Sequence, residues 1–133
     1  MHRTILALIA ILNVATGVQM FVAPMFFYET IPGVQMLGPF NVHFIRDAGL
    51  SYTASGLLLA FGWRRHEYSW SLAGSLWPVF HALFHLQMWL ARGMPADLVA
   101  AVNLAGIQLP AWLALYAAFT LHRAQPAAVE VRP

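Results

Sequence analysis

His81 and His85 stand four residues apart in an apolar stretch, and His43 and Asp47 have the same spacing earlier in the chain. That spacing puts both members of each pair on one helix face, a single turn apart. Neutral imidazole is a ligand for zinc, copper, iron and nickel, and a carboxylate lowers the charge cost of a divalent ion in a low-dielectric setting. Paired histidines at this spacing occur in known helical metal sites. The expected chemistry is therefore a transition-metal site built from His43, Asp47, His81 and His85, with copper or zinc favoured. With copper or iron and an open coordination position, oxidation of a small or lipidic substrate becomes accessible. A b-type haem is an alternative, but two histidines one turn apart cannot ligate opposite faces of one porphyrin. His43 would then have to supply the second axial ligand.

The chain that positions these residues is strongly apolar: 60% of it is hydrophobic, 9% is charged, and its mean hydropathy is +0.65. Crossing a hydrocarbon core of roughly 30 Å takes about 20 apolar residues in a helix, so 133 residues accommodate four crossings. The expected fold is all-α, an integral membrane four-helix transmembrane bundle in one domain. Its spans fall at about 4–23, 41–63, 68–91 and 96–121. Pro24 directly after Ala23 is a poor cleavage context, so the first span is expected to be retained rather than removed as a signal peptide. Between the first two spans, Pro32-Gly33 and Gly38-Pro39 are turn signals, and Phe26, Phe27 and Tyr28 suit a loop lying on the membrane surface. The tail with Pro126 and Pro133 is expected to be disordered.

Absence of cysteine excludes disulfides, thiolate metal sites and c-type haem attachment. The pI near 9.5 rests on seven arginines, spread along the chain without any lysine, against five acids. That distribution does not make a nucleic-acid surface. In a four-span arrangement Arg3, Arg64, Arg65, Arg123 and Arg132 fall on one side and Arg92 on the other. By the positive-inside rule both termini are expected in the cytoplasm.

Topology gives the polar pairs a common depth. His43 and His85 lie near the outer boundary of the second and third spans, and Asp47 and His81 each lie one turn deeper. Convergence of all four in the outer leaflet is the metal reading. The opposing reading is interhelical polar glue: His43, Arg46 and Asp47 form a local cluster while His81 and His85 bond across helices, in a non-catalytic subunit of a larger membrane complex. Arg46, Gln19 and Asn103 are candidates to assist a bound cofactor, with Arg46 as an interfacial anchor and the amides as ordinary interhelical donors in the opposing view. Pro78 and Pro110, each with a glycine four residues earlier, are expected to bend the third and fourth spans. Gly49, Thr53, Gly56 and Ala60 form a stripe for close packing on another helix or another subunit, and a homo-oligomer is one form this takes.

Two further segments carry a resemblance: Pro24-Met25-Phe26-Phe27 after the first span, and Arg46-Asp47-Ala48-Gly49 opening the small-residue-rich second helix. The plan resembles the DoxX-like superfamily of small bacterial four-helix membrane proteins. The resemblance implies a four-helix fold in a bacterial inner membrane and, for some members, a link to quinone or sulfur redox systems. The His81 and His85 pair is outside that superfamily's general pattern, so no specific activity is carried over.

Overall fold

The computed structural model describes residues 2–124. Its elements are α1 (His2–Val22), α2 (Pro24–Thr30), a 3-10 turn at Val34–Leu37, α3 (Val42–Arg65), α4 (Tyr68–Ala91), α5 (Leu98–Asn103), a π-helical segment at Leu104–Gln108, and α6 (Leu109–Ala124). The fold is all-α, with no strand among the described residues. α1 packs on α3, α3 on α4, α4 on α6 and α6 back on α1, which closes a four-helix bundle. The tail with Pro126 and Pro133 lies outside the described residues.

The boundaries follow local chemistry. Asn41 starts α3 by accepting the Phe44 amide on its side-chain oxygen at 3.1 Å, and Asp97 starts α5 by accepting the Ala100 amide at 2.8 Å. Arg64 and Arg65 occupy the last turn of α3, where the helix dipole favours cations. The segment after α1, expected as a loop, instead forms α2 and the 3-10 turn. Pro24 occupies the first turn of α2, where its missing N–H costs nothing. At the start of α6, Pro110 removes the amide that would meet the Gly106 carbonyl. The helix answers by widening, and the Leu109 N–H donates to the Leu104 carbonyl five residues back.

Burial runs opposite to that of a water-soluble bundle. The interior is rich in small and polar residues, including Ala82, Ala114, Ala117, Ala118, Ser55, Ser71, Ser75 and Asn13, beside the buried large side chains Leu6, Ile9, Met20, Ile45, Leu59 and Leu121. Large apolar side chains face outward on every long helix, and Ile11 and Phe80 are each 66% exposed. Small residues bring the backbones together. A Cβ added at Gly56 would lie 2.8 Å from the Ala10 carbonyl oxygen and the Val14 nitrogen, and one at Gly49 would lie 2.8 Å from the Gly17 carbonyl oxygen. The small-residue stripe of α3 thus packs on α1 of the same chain.

Two helical stretches, Arg3–Val22 and Leu98–Leu121, are long and apolar enough to cross a membrane. α3 and α4 have 24 residues each. α3 carries Arg46, Asp47, Arg64 and Arg65, and α4 carries no charged residue but includes His81, His85 and Gln87.

Candidate functional site

His81 and His85 lie on one edge of α4 with ring centroids 4.5 Å apart. Their backbone is set by α4 itself, and their neighbours come from α3 and α4 together. Trp77, one turn before His81, stacks on its ring at 4.8 Å with planes 12° apart, and Tyr52 of α3 meets the same imidazole edge-on at 5.8 Å. Tyr52 and Trp77 also contact each other edge-to-face at 4.6 Å. His81 is therefore held in an aromatic corner, whereas His85 opens onto a cavity.

That cavity, of about 330 Å³, is lined by His85, Met88 and Arg92 of the α4 end, Met36 of the 3-10 turn, and Val99 and Asn103 of α5, among others. Asn103 is tied into a short amide chain. Gln108 Nε2 donates to the Ala82 carbonyl at 2.8 Å and to Asn103 Oδ1 at 3.3 Å, while Trp112 Nε1 donates to Gln108 Oε1 at 3.1 Å. These bonds anchor the π-helical segment to α4 beside the histidine pair.

His43 and Asp47 form a second, separate pair. His43 Nε2 is 3.3 Å from Asp47 Oδ2, with the side chains 86% and 59% exposed. The expected convergence of four ligands does not occur: among the described residues no three His, Asp or Glu side chains gather so as to hold a metal ion. The reason is rotation rather than depth. Residues two apart on a helix differ by about 200° around its axis, so His43 and Asp47 point away from Ile45 and Gly49, which are buried in the bundle.

No protein-family model, curated protein or solved structure matches the chain.

Arg46 and Gln19 stand apart from the histidine pair. Arg46 Nε donates to the Phe21 carbonyl at the end of α1 at 3.1 Å, and its guanidinium carbon lies 5.4 Å from the Phe21 ring centre. It works as a basic cap on a helix C-terminus. Gln19 is half-buried on α1, and its carbonyl accepts the Ala23 amide.

Tyr52, Trp77, Met36 and Met88 are site residues that the sequence pattern did not single out. The signal for Tyr52 was present: the antiparallel register that levels Asp47 with His81 also levels Tyr52 with Trp77. Met88 follows His85 by three residues, a same-face spacing. Met36 had no such signal, because the path of the loop after α2 decides where it lies.

Proposed function

We propose that this chain is a four-span integral membrane protein that binds a transition-metal ion at the His81 and His85 edge of its bundle. The observation that carries the metal reading is the pair itself: two imidazoles 4.5 Å apart, one of them opening onto a cavity. Nitrogens bound to one tetrahedral ion at about 2.0–2.1 Å lie roughly 3.3 Å apart, which small side-chain rotations bring within reach of rings at this separation. His43, Asp47 and Arg46 are outside the proposed site.

The reading of all four long helices as spans rests on where the apolar side chains point. α3 and α4 sit between the two strongly apolar helices in the ring and display Leu50, Leu57, Phe61, Leu76, Phe80 and Leu83 outward. Large apolar side chains outside and serine, glycine and alanine inside suit lipid as the surrounding solvent. By the positive-inside rule, the arginines at the α3–α4 turn and near the N-terminus support a cytoplasmic location for that end and an outer location for the histidine end.

One observation favours a second reading. The 12° stack of Trp77 on His81 and the Tyr52 edge contact serve equally as interhelical packing in a non-catalytic membrane subunit.

Elemental analysis of protein purified in detergent and reconstituted with Zn(II), Cu(II) or, under anaerobic conditions, Cu(I) separates the two. The metal reading expects about one ion per chain, reduced to background by His81→Ala or His85→Ala, with Trp77 fluorescence responding to the ion. Unchanged metal content in both variants, or none in the wild-type protein, would overturn it.

A further inference from the structure

The cavity beside His85 carries sulfur as well as nitrogen. Met88 and His85 come from one face of α4, and Met36 reaches the same cavity from the 3-10 turn. The position of that turn is fixed. Gly33 takes a φ of 95° at its start, and the Met36 amide donates to the Gly33 carbonyl at 3.2 Å. A Cβ added at Gly33 would come within 2.7 Å of Val99 Cγ1, so the turn is seated closely against α5. The closure places Met36 on a wall of the cavity formed otherwise by α4 and α5.

Resting on the metal reading of the His81 and His85 pair, we propose that the ion is Cu(I), held by His85 and the thioethers of Met36 and Met88 with His81 adjacent. Thioether sulfur is a soft, neutral ligand that selects Cu(I) over divalent ions. The imidazole and two thioethers that line the cavity bring no negative charge, and the Arg92 cation beside them is paired with Asp97, so the lining suits a monovalent cation better than a divalent one. Among the described residues no cluster of three His, Asp or Glu side chains is present to favour the harder ions. A closed-shell Cu(I) ion is satisfied by few ligands and imposes little geometry. The cavity opens at the surface of the bundle, so an ion can arrive from a soluble or membrane-bound carrier without crossing the protein.

The test is anaerobic competition of the detergent-purified full chain against a chromophoric Cu(I) chelator, with Ag(I) as a redox-inert probe and Zn(II) as the hard-ion control. Methionine labelled with 13C at the ε-methyl reports sulfur ligation directly and does not depend on a variant folding. The expected result is a shift of two of the six methionine methyl signals on adding Ag(I), assigned to Met36 and Met88. Met88→Leu and Met36→Leu should each weaken Cu(I) binding tenfold or more and change Zn(II) binding less than threefold. Cu(I) binding that needs His81 and His85 but leaves every methionine signal and both leucine variants unaffected would overturn the thioether site while leaving the metal reading intact. Absence of binding by Cu(I), Ag(I) and Zn(II) would remove both.

Discussion

The Ser55 hydroxyl donates a 2.6 Å hydrogen bond to the Gly74 carbonyl, the acceptor whose helical partner is missing because residue 78 is proline. In a regular α-helix the amide four residues on would meet that carbonyl, and proline has none. Ser55 supplies the donor from α3 instead. Its oxygen in turn accepts from Asn13 Nδ2 of α1 at 3.1 Å. One hydroxyl, using one proton and one lone pair, thus joins α1, α3 and α4 at the centre of the bundle.

Ser55→Ala is expected to destabilise the bundle by about 1–2 kcal/mol. Hydrogen bonds between membrane helices average about 0.6 kcal/mol with a ceiling near 1.7, but here the loss also orphans a buried carbonyl, which costs about 1–3 kcal/mol. Pro78→Ala returns an amide to Gly74, so the same serine substitution should cost less than half as much in that background. Steric-trap unfolding of the single and double variants measures the coupling, and additive effects would show that Ser55 does not act through the Gly74 carbonyl.

Gly56 and Gly106 should respond oppositely to alanine. At Gly56 the new methyl meets α1 backbone at 2.8 Å, whereas at Gly106 nothing lies within 4 Å. Gly56→Ala has to push α1 and α3 apart, with an expected loss of about 1–3 kcal/mol. Gly106→Ala should gain up to about 1 kcal/mol from helix propensity. Thermal unfolding in one detergent gives both signs, and equal effects would contradict the assigned contacts.

Helix existence and approximate helix limits were legible because apolar length, Pro24 and the Arg64-Arg65 interruption are local signals. Depth along the helices was legible too, since antiparallel neighbours share a register. Rotation about the helix axis was the missing coordinate for His43 and Asp47. The stripe containing Gly49 and Gly56 held that information: it marks the packed face of α3, and Asp47, two residues before Gly49, falls opposite it. α2 was obscured because Pro32 and Gly33 draw attention to a turn, while the short helix before them depends on Pro24 initiating it. The proposed sulfur ligands depend on how the 3-10 turn docks against Val99, a contact between positions 66 residues apart that no local pattern encodes.

Arg46→Lys should weaken the α1–α3 end by about 0.5–1 kcal/mol and leave ion binding unchanged. Lysine keeps the charge near the α1 C-terminus but loses the planar group that both donates to the Phe21 carbonyl and lies near its ring. Faster hydrogen exchange at the Ala23 and Met25 amides, together with wild-type metal content, is the expected result. A lost ion with unaltered exchange would return Arg46 to the binding site.

Acid should release the cap of α5 before it affects the long helices. The Ala100 amide and then the Arg92 guanidinium, whose nitrogen lies 2.6 Å from Asp97 Oδ2, hold the Asp97 carboxyl below its ordinary 3.8. Because the folded-state value is depressed, the contribution to stability is complete above 3.8 and is lost as pH falls through the lower folded value. Hydrogen exchange at Ala100, followed from pH 6 to pH 2 and corrected for intrinsic rates, is therefore expected to accelerate only in the acidic part of that range. Asp97→Asn keeps an acceptor for the cap but removes the titration and the charge opposite Arg92. Its Ala100 exchange should be faster than wild type at pH 6 and should show no further step on acidification; a step of the same size in the variant would assign the transition to another group.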